Sequence, residues 1–165
     1  MTTIQTNRES GFTLLELLLV IGVAALLLIG GIATYRLVSE GNKATEAIRQ
    51  VLTIKQEAAV VAQNSDTGYD GIDLQLLVDL GVLRSTTQLN PFNGTYNVDG
   101  SSGNLEITLS NISQGACIKM AMSINNPNEV ISIGGPGGTN TPPISIAQAQ
   151  AMCNAAANDL TWTFP

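Results

Sequence analysis

The sequence predicts an α+β chain, in which a long amino-terminal helix packs its second half on an antiparallel β-sheet and additional helices lie near the carboxyl end. Three observations carry that expectation. The run from Phe12 to Ile32 is apolar except for Thr13 and Glu16, and apolar residues at steps of three and four extend it to about Asn64. A turn-rich break, NSDTGYDG, then separates this helix from the rest of the chain. Beyond the break, short runs alternate apolar and polar residues, as half-buried strands do.

At the α-helical rise, Phe12 to Ile32 measures roughly 31 Å, enough to cross a bilayer. Glu16 is the informative detail, because an acid at bilayer depth costs about 2.5 to 3.5 kcal/mol. A partner must offset that cost. The glycines Gly22, Gly30, Gly31 and Gly41 have two readings: weak points costing about 1 kcal/mol each against alanine, or notches for close packing. The adjacent pair Gly30 and Gly31, where the span ends, is the candidate weak point.

In the second half of the helix, Ala44, Ala47, Ile48, Val51, Ile54, Ala58 and Val61 mark the face that meets the sheet. No proline interrupts the segment, and helix from Phe12 to Asn64 would be roughly 80 Å long, more than one small domain can bury. Arg36 with Glu40, Glu40 with Lys43, and Glu46 with Arg49 sit at helical neighbour spacing. They read as a solvated face or, alternatively, as contacts between neighbouring molecules.

After the break, IDLQLLVDLGVL predicts a short helix capped by Asp73 and ended at Gly81. Thr95 to Val98 and Leu105 to Leu109 predict a hairpin around the GSSG turn. SQGACIKMAMSI predicts a helix carrying Cys117, NEVISI a short strand, and GGPGGTNTPP a loop, since Gly and Pro at that density continue neither regular structure. SIAQAQAMCNAAAND predicts an alanine-rich helix capped by Ser145 and carrying Cys153. LTWTFP predicts a closing strand with Leu160, Trp162 and Phe164 on one face.

Composition argues against chemistry. The sequence has no histidine, which removes the commonest general base and metal ligand, and its Ser, Asp and Cys residues form no recognisable catalytic constellation. Neither a metal nor a cofactor is expected. From Ser65 onward eight acids face only Arg84 and Lys119, so this part carries the whole net charge of −6. An acidic surface repels phosphate backbones, and direct nucleic-acid binding is not expected.

The stretch Gly11, Phe12, Thr13, Leu14, Leu15, Glu16, placed just after a short polar leader, resembles the class III signal of type IV prepilins. An ordinary secretory signal fits poorly, because the leader has no apolar region of its own. The resemblance implies cleavage between Gly11 and Phe12 by a prepilin peptidase, N-methylation of Phe12, and filament assembly guided by Glu16. It implies a structural subunit of a type IV pilus serving adhesion, aggregation or conjugation. The alternative is a minor or tip pilin, or a type II secretion pseudopilin. The implied partners are other pilin subunits in a homopolymer, the prepilin peptidase, the inner-membrane assembly machinery and an outer-membrane secretin. The implied location is the bacterial inner membrane before assembly and the extracellular pilus afterwards. Four segments follow: a leader at 1–11, a transmembrane or filament-core helix at 12–32, its amphipathic continuation at 33–64, and an α+β head at 65–165.

An even cysteine count in an exported domain reads as one disulfide, Cys117 to Cys153, rather than two free thiols. Late cysteines, helices between strands and the NPFNGTYNV stretch look most like the type IVb subgroup, although Phe12 is an unusual first mature residue there. The leader is not net basic, since Glu9 offsets Arg8, so the expected orientation rests on the cleavage motif rather than on charge.

Overall fold

The computed structural model describes residues 12–165, without the side chains of residues 33, 34, 36 and 37. Gly11 and the leader therefore lie outside the described residues, as does the expected Arg36–Glu40 pair. The chain divides into two compact units between Ser39 and Glu40. Helix α1, Leu14–Gln63, belongs to both.

In the first unit every described apolar side chain from Phe12 to Ile32 is exposed, and Leu14–Ile32 is long and apolar enough to cross a membrane. In the second unit the three-and-four periodicity has its expected effect. Ala44, Ala47, Val51, Ile54 and Ala58 are buried, with Ile48 and Val61 packed against the same core. Their partners are the inward residues of a five-stranded antiparallel sheet ordered β1-β2-β5-β3-β4. The strands are β1 Tyr96–Ser101, β2 Asn104–Ile112, β3 Ser132–Gly135, β4 Gly138–Asn140 and β5 Asn158–Phe164.

Strand alternation decides which residues enter the core. On β5, Asn158, Leu160, Trp162 and Phe164 are buried, and the residues between them lie on the other face. As the central strand β5 pairs with β2, Ile107 opposite Trp162, and with β3, Ile133 opposite Trp162. The β1–β2 hairpin turns on Ser102 and Gly103, whose φ of 53° and 74° are the two positive values that a tight right-twisting hairpin requires.

Helix α2, Leu74–Asp79, starts where expected: the Asp73 carboxylate accepts from the Leu76 N–H at 2.8 Å. Gly81 follows the cap with φ 74°. Helix α3, Gln114–Ser123, carries Cys117. Helix α4, Ile146–Met152, opens with a reciprocal cap between Ser145 and Gln148.

Two expectations need correction. The Gly/Pro segment is not a loop throughout: Gly134 and Gly135 close β3, Gly138 opens β4, and the two strands form a hairpin with Gly135 opposite Gly138. The expected strand NEVISI accordingly begins only at Ser132. Close approach explains the glycines. A Cβ on Gly135 would lie 2.7 Å from Met152 Cγ, and one on Gly137 only 1.9 Å from the Ala151 carbonyl oxygen. The second correction is the length of α4, which ends at Met152 and leaves Cys153 as its C-cap. Its alanine-rich continuation has helical propensity, but the Met152 carbonyl accepts the Gly137 N–H at 3.0 Å, and the buried Asn158 bonds both the N–H and the C=O of Ala155. Tertiary hydrogen bonds override the local preference.

Candidate functional site

The start of α1 is built by three residues. Thr13 precedes the first helical residue, and its Oγ1 accepts the Glu16 N–H at 3.3 Å while its carbonyl accepts the Leu17 N–H at 3.1 Å. Thr13 thus caps the helix, and Glu16 occupies the third helical position, where a carboxylate also faces the positive end of the helix dipole. The sequence reading missed this cap, although the spacing Thr-x-x-Glu announces it. Among the described residues the exposed Glu16 carboxylate has neither a hydrogen bond nor an ion pair. Phe12, at 76 % exposure, stands one residue before the cap.

Helix α1 continues through Gly30 and Gly31, and a Cβ at either would meet nothing within 4 Å. The expected Glu46–Arg49 pair forms at 2.7 Å and holds the Glu46 carboxyl below its ordinary range, chiefly through the hydrogen bond from Arg49. Glu40 instead accepts from Ser113 Oγ at 3.3 Å.

Cys117 and Cys153 are bonded to each other, with Cα atoms 5.8 Å apart and neither side chain exposed. The bond ties α3 to the end of α4 and encloses the β3–β4 hairpin within a separation of 36 residues. The NPFNGT stretch is organised by the buried Asn90: its Oδ1 accepts the N–H groups of Phe92 and Gly94, and its Nδ2 donates to the Ser110 and Thr95 carbonyls. A Cβ on Gly94 would stand 2.0 Å from the Ser110 carbonyl oxygen. Tyr96 is buried with its hydroxyl donating to Gln50 Oε1, and burial pushes that hydroxyl up to about 12.

A further contact, invisible to sequence reading because its partners are 74 positions apart, joins Lys55 to Glu129 at 3.1 Å. The hydrogen bond from Lys55 holds the Glu129 carboxyl below its usual range, and the same ammonium lies 4.9 Å from the Phe164 ring centre.

The helices pack on one face of the sheet, and its other face is polar. There Thr108 bonds Thr161 at 2.7 Å and Ser132 donates to Thr163 at 3.0 Å, with Glu106 beside them in a shallow groove of about 540 Å³. Among the described residues no group of three or more metal-ligating side chains is assembled. Within α1 the span Leu14–Ile32 carries Glu16 as its one charge.

Known proteins resemble this chain in sequence and in fold. Residues 40–165 match the family model described as PilS N terminal, and residues 6–32 match the prokaryotic N-terminal methylation motif. The major structural subunits of bundle-forming pilus from Escherichia coli O111:H- and from O127:H6 strain E2348/69 are each 26 % identical, across 93 % of this chain and 91 % of the relative. The crystal structure of the type IV b pilin from Salmonella typhi superposes with a TM-score of 0.57 at 16 % identity, covering 75 % of this chain and 98 % of that one. TcpA, a type IV pilin from Vibrio cholerae El Tor biotype, gives 0.55 at 14 % identity, covering 75 % and 99 %. The chain belongs to the PilS N terminal family, and its fold is that of the type IVb pilins.

Proposed function

We propose that this chain is the structural subunit of a type IVb pilus. The observation that carries the reading is the start of α1, Leu14–Ile32, an apolar stretch exposed throughout and bearing one carboxylate without a partner among the described residues. Such a surface is costly in water and suits first a lipid bilayer and then a bundle of identical helices. The relatives named as major structural subunits of a pilus support the same reading.

In this proposal a prepilin peptidase cuts between Gly11 and Phe12, and Phe12 is methylated. The new α-amine has a reference pKa near 7.7 to 8.0, and methylation to a secondary amine keeps its charge. The Glu16 carboxylate of an arriving subunit pairs with the amine of a neighbour and fixes its vertical register. The precursor resides in the bacterial inner membrane, where assembly machinery receives it, and the filament leaves through a secretin.

Intact-mass measurement of sheared filaments tests the processing step. Subunits should comprise residues 12 to 165 plus one methyl group. Recovery of filaments whose subunits still begin at Met1 would overturn it.

A further inference from the structure

Immediately beyond the boundary between the two compact units, one backbone carbonyl of α1 takes two side-chain donors, one from the helix itself and one from α3. The Gly41 carbonyl accepts from Thr45 Oγ1 at 3.0 Å and from Lys119 Nζ at 3.2 Å. Lys119 Nζ also lies 3.4 Å from Thr45 Oγ1, and Ser113 Oγ donates to Glu40 Oε2 at 3.3 Å. Ser113 and Lys119 both come from α3, one at its N-cap and one in its body.

These contacts pull in two directions. A helical carbonyl that takes side-chain donors gives a weaker bond to the amide four residues on, and a threonine bonding back to it loosens the turn further. Glycine at position 41 adds backbone freedom. Against that, the two cross-links from α3 hold the turn in place from outside, with the fully buried Ala44 and Ala47 just beyond.

We propose that α3 is a latch on the Glu40–Thr45 turn, with Lys119 as its positioning residue. The latch sets the limit beyond which α1 cannot loosen when subunits are packed in a filament. Loosening that begins at Gly30 and Gly31 stops at Gly41, and the head keeps its hold on the helix. The filament part rests on the function proposed above; the latch itself does not.

Hydrogen exchange read by mass spectrometry on the processed full chain, in detergent micelles and in sheared filaments, tests it. In the wild type, amides from Ala44 onward should be protected in both samples. In micelles Lys119→Met should speed exchange at residues 42–46 about tenfold, leaving residues 50–60 and β5 unchanged, and Lys119→Arg should restore protection. In filaments the same variant should move the edge of protection past Thr45. Gly41→Ala is a second variant, since its Cβ would sit at an ordinary 3.8 Å from Lys119 Nζ. Combined with Lys119→Met it should return part of the protection. Unchanged exchange at 42–46 in Lys119→Met overturns the latch, and so does a loss of protection spread equally over the sheet. If no filaments form, the pilus reading fails while the micelle arm still decides the latch.

Discussion

Some glycines of the head are enclosed in a way that none of those between Phe12 and Ile32 is. At Gly22, Gly30 and Gly31 a Cβ would meet nothing within 4 Å, whereas at Gly94, Gly100 and Gly137 it would land about 2 Å from a backbone oxygen. The apolar residues divide in the same way. Those from Phe12 to Ile32 are exposed, while Leu105, Ile107, Leu109, Leu160 and Trp162 in the head are fully buried. The head's sequence is explained by contacts the chain makes with itself. The apolar side chains from Phe12 to Ile32 find no such contacts among the described residues, and substitutions there should leave head folding unchanged, showing their effect when other subunits or lipid are present.

That contrast breaks first at Glu16. Glu16→Gln keeps size and removes the charge whose cost in lipid, about 2.5 to 3.5 kcal/mol, drives the pairing, so filament yield should drop at least tenfold. Leader cleavage and head melting should stay normal, the processed protein accumulating in the inner membrane. Normal filament yield would remove the proposed pairing with the Phe12 amine.

The disulfide gives the largest effect inside the head. Closing 36 positions is worth about 4 kcal/mol in the chain-entropy model, so Cys153→Ser should lower the melting temperature by about 10 °C or more. An unchanged melting curve measured by circular dichroism would show that the α3–α4 connection does not need the bond.

A paired glycine experiment sharpens the comparison directly. Gly94→Ala forces a methyl into the Ser110 carbonyl and should cost about 2 kcal/mol or more of head stability. Gly30→Ala with Gly31→Ala should leave head melting untouched and strengthen the isolated helix by about 1 kcal/mol per site. If those two glycines serve as weak points in the filament, the double variant should yield stiffer, shorter filaments, read from the axial rise per subunit in filament images. A filament map of the unsubstituted protein showing unbroken α-helix from Phe12 to Asn64 would count against that role.

The smallest effect is acid sensitivity. The folded Glu129 carboxyl sits below its unfolded value because of Lys55, so its contribution is present above the unfolded pKa and is lost as pH falls through the folded one. Melting temperature should therefore decline slightly as pH falls below the ordinary glutamate pKa of about 4.3. The decline should shrink in Glu129→Gln; an identical pH profile in both proteins would assign the acid loss elsewhere.

What the sequence made legible was whatever depends on period. The inward face of α1 from Ala44 to Ala58, the parity of Leu160, Trp162 and Phe164, and the Asp73 and Ser145 caps all follow from spacing of two, three or four residues. What it concealed depends on contacts between distant segments. The β3–β4 hairpin looks like loop because its glycines answer to Ala151 and Met152, which are remote in sequence. Helix α4 stops early for a similar reason, through Gly137 and Asn158. Lys119 and Lys55 reach partners 74 to 78 positions away, and nothing local marks them as different from solvated lysines. At the helix start Thr13 was readable from the Thr-x-x-Glu spacing, while the role of Glu16 follows from the cost of an acid in lipid rather than from anything it touches.

The place of β5 in the sheet has a consequence for biogenesis. It follows the other four strands in chain order, yet it lies between β2 and β3 and holds the two hairpins together. The β1–β2 and β3–β4 hairpins can each close locally, but they have no shared layer until Trp162 and Phe164 are in place. The apolar faces waiting for that strand are unpaired edges in the meantime, the kind of surface on which nascent chains associate wrongly. The head is therefore most open to wrong association in the interval before β5 has paired with both hairpins.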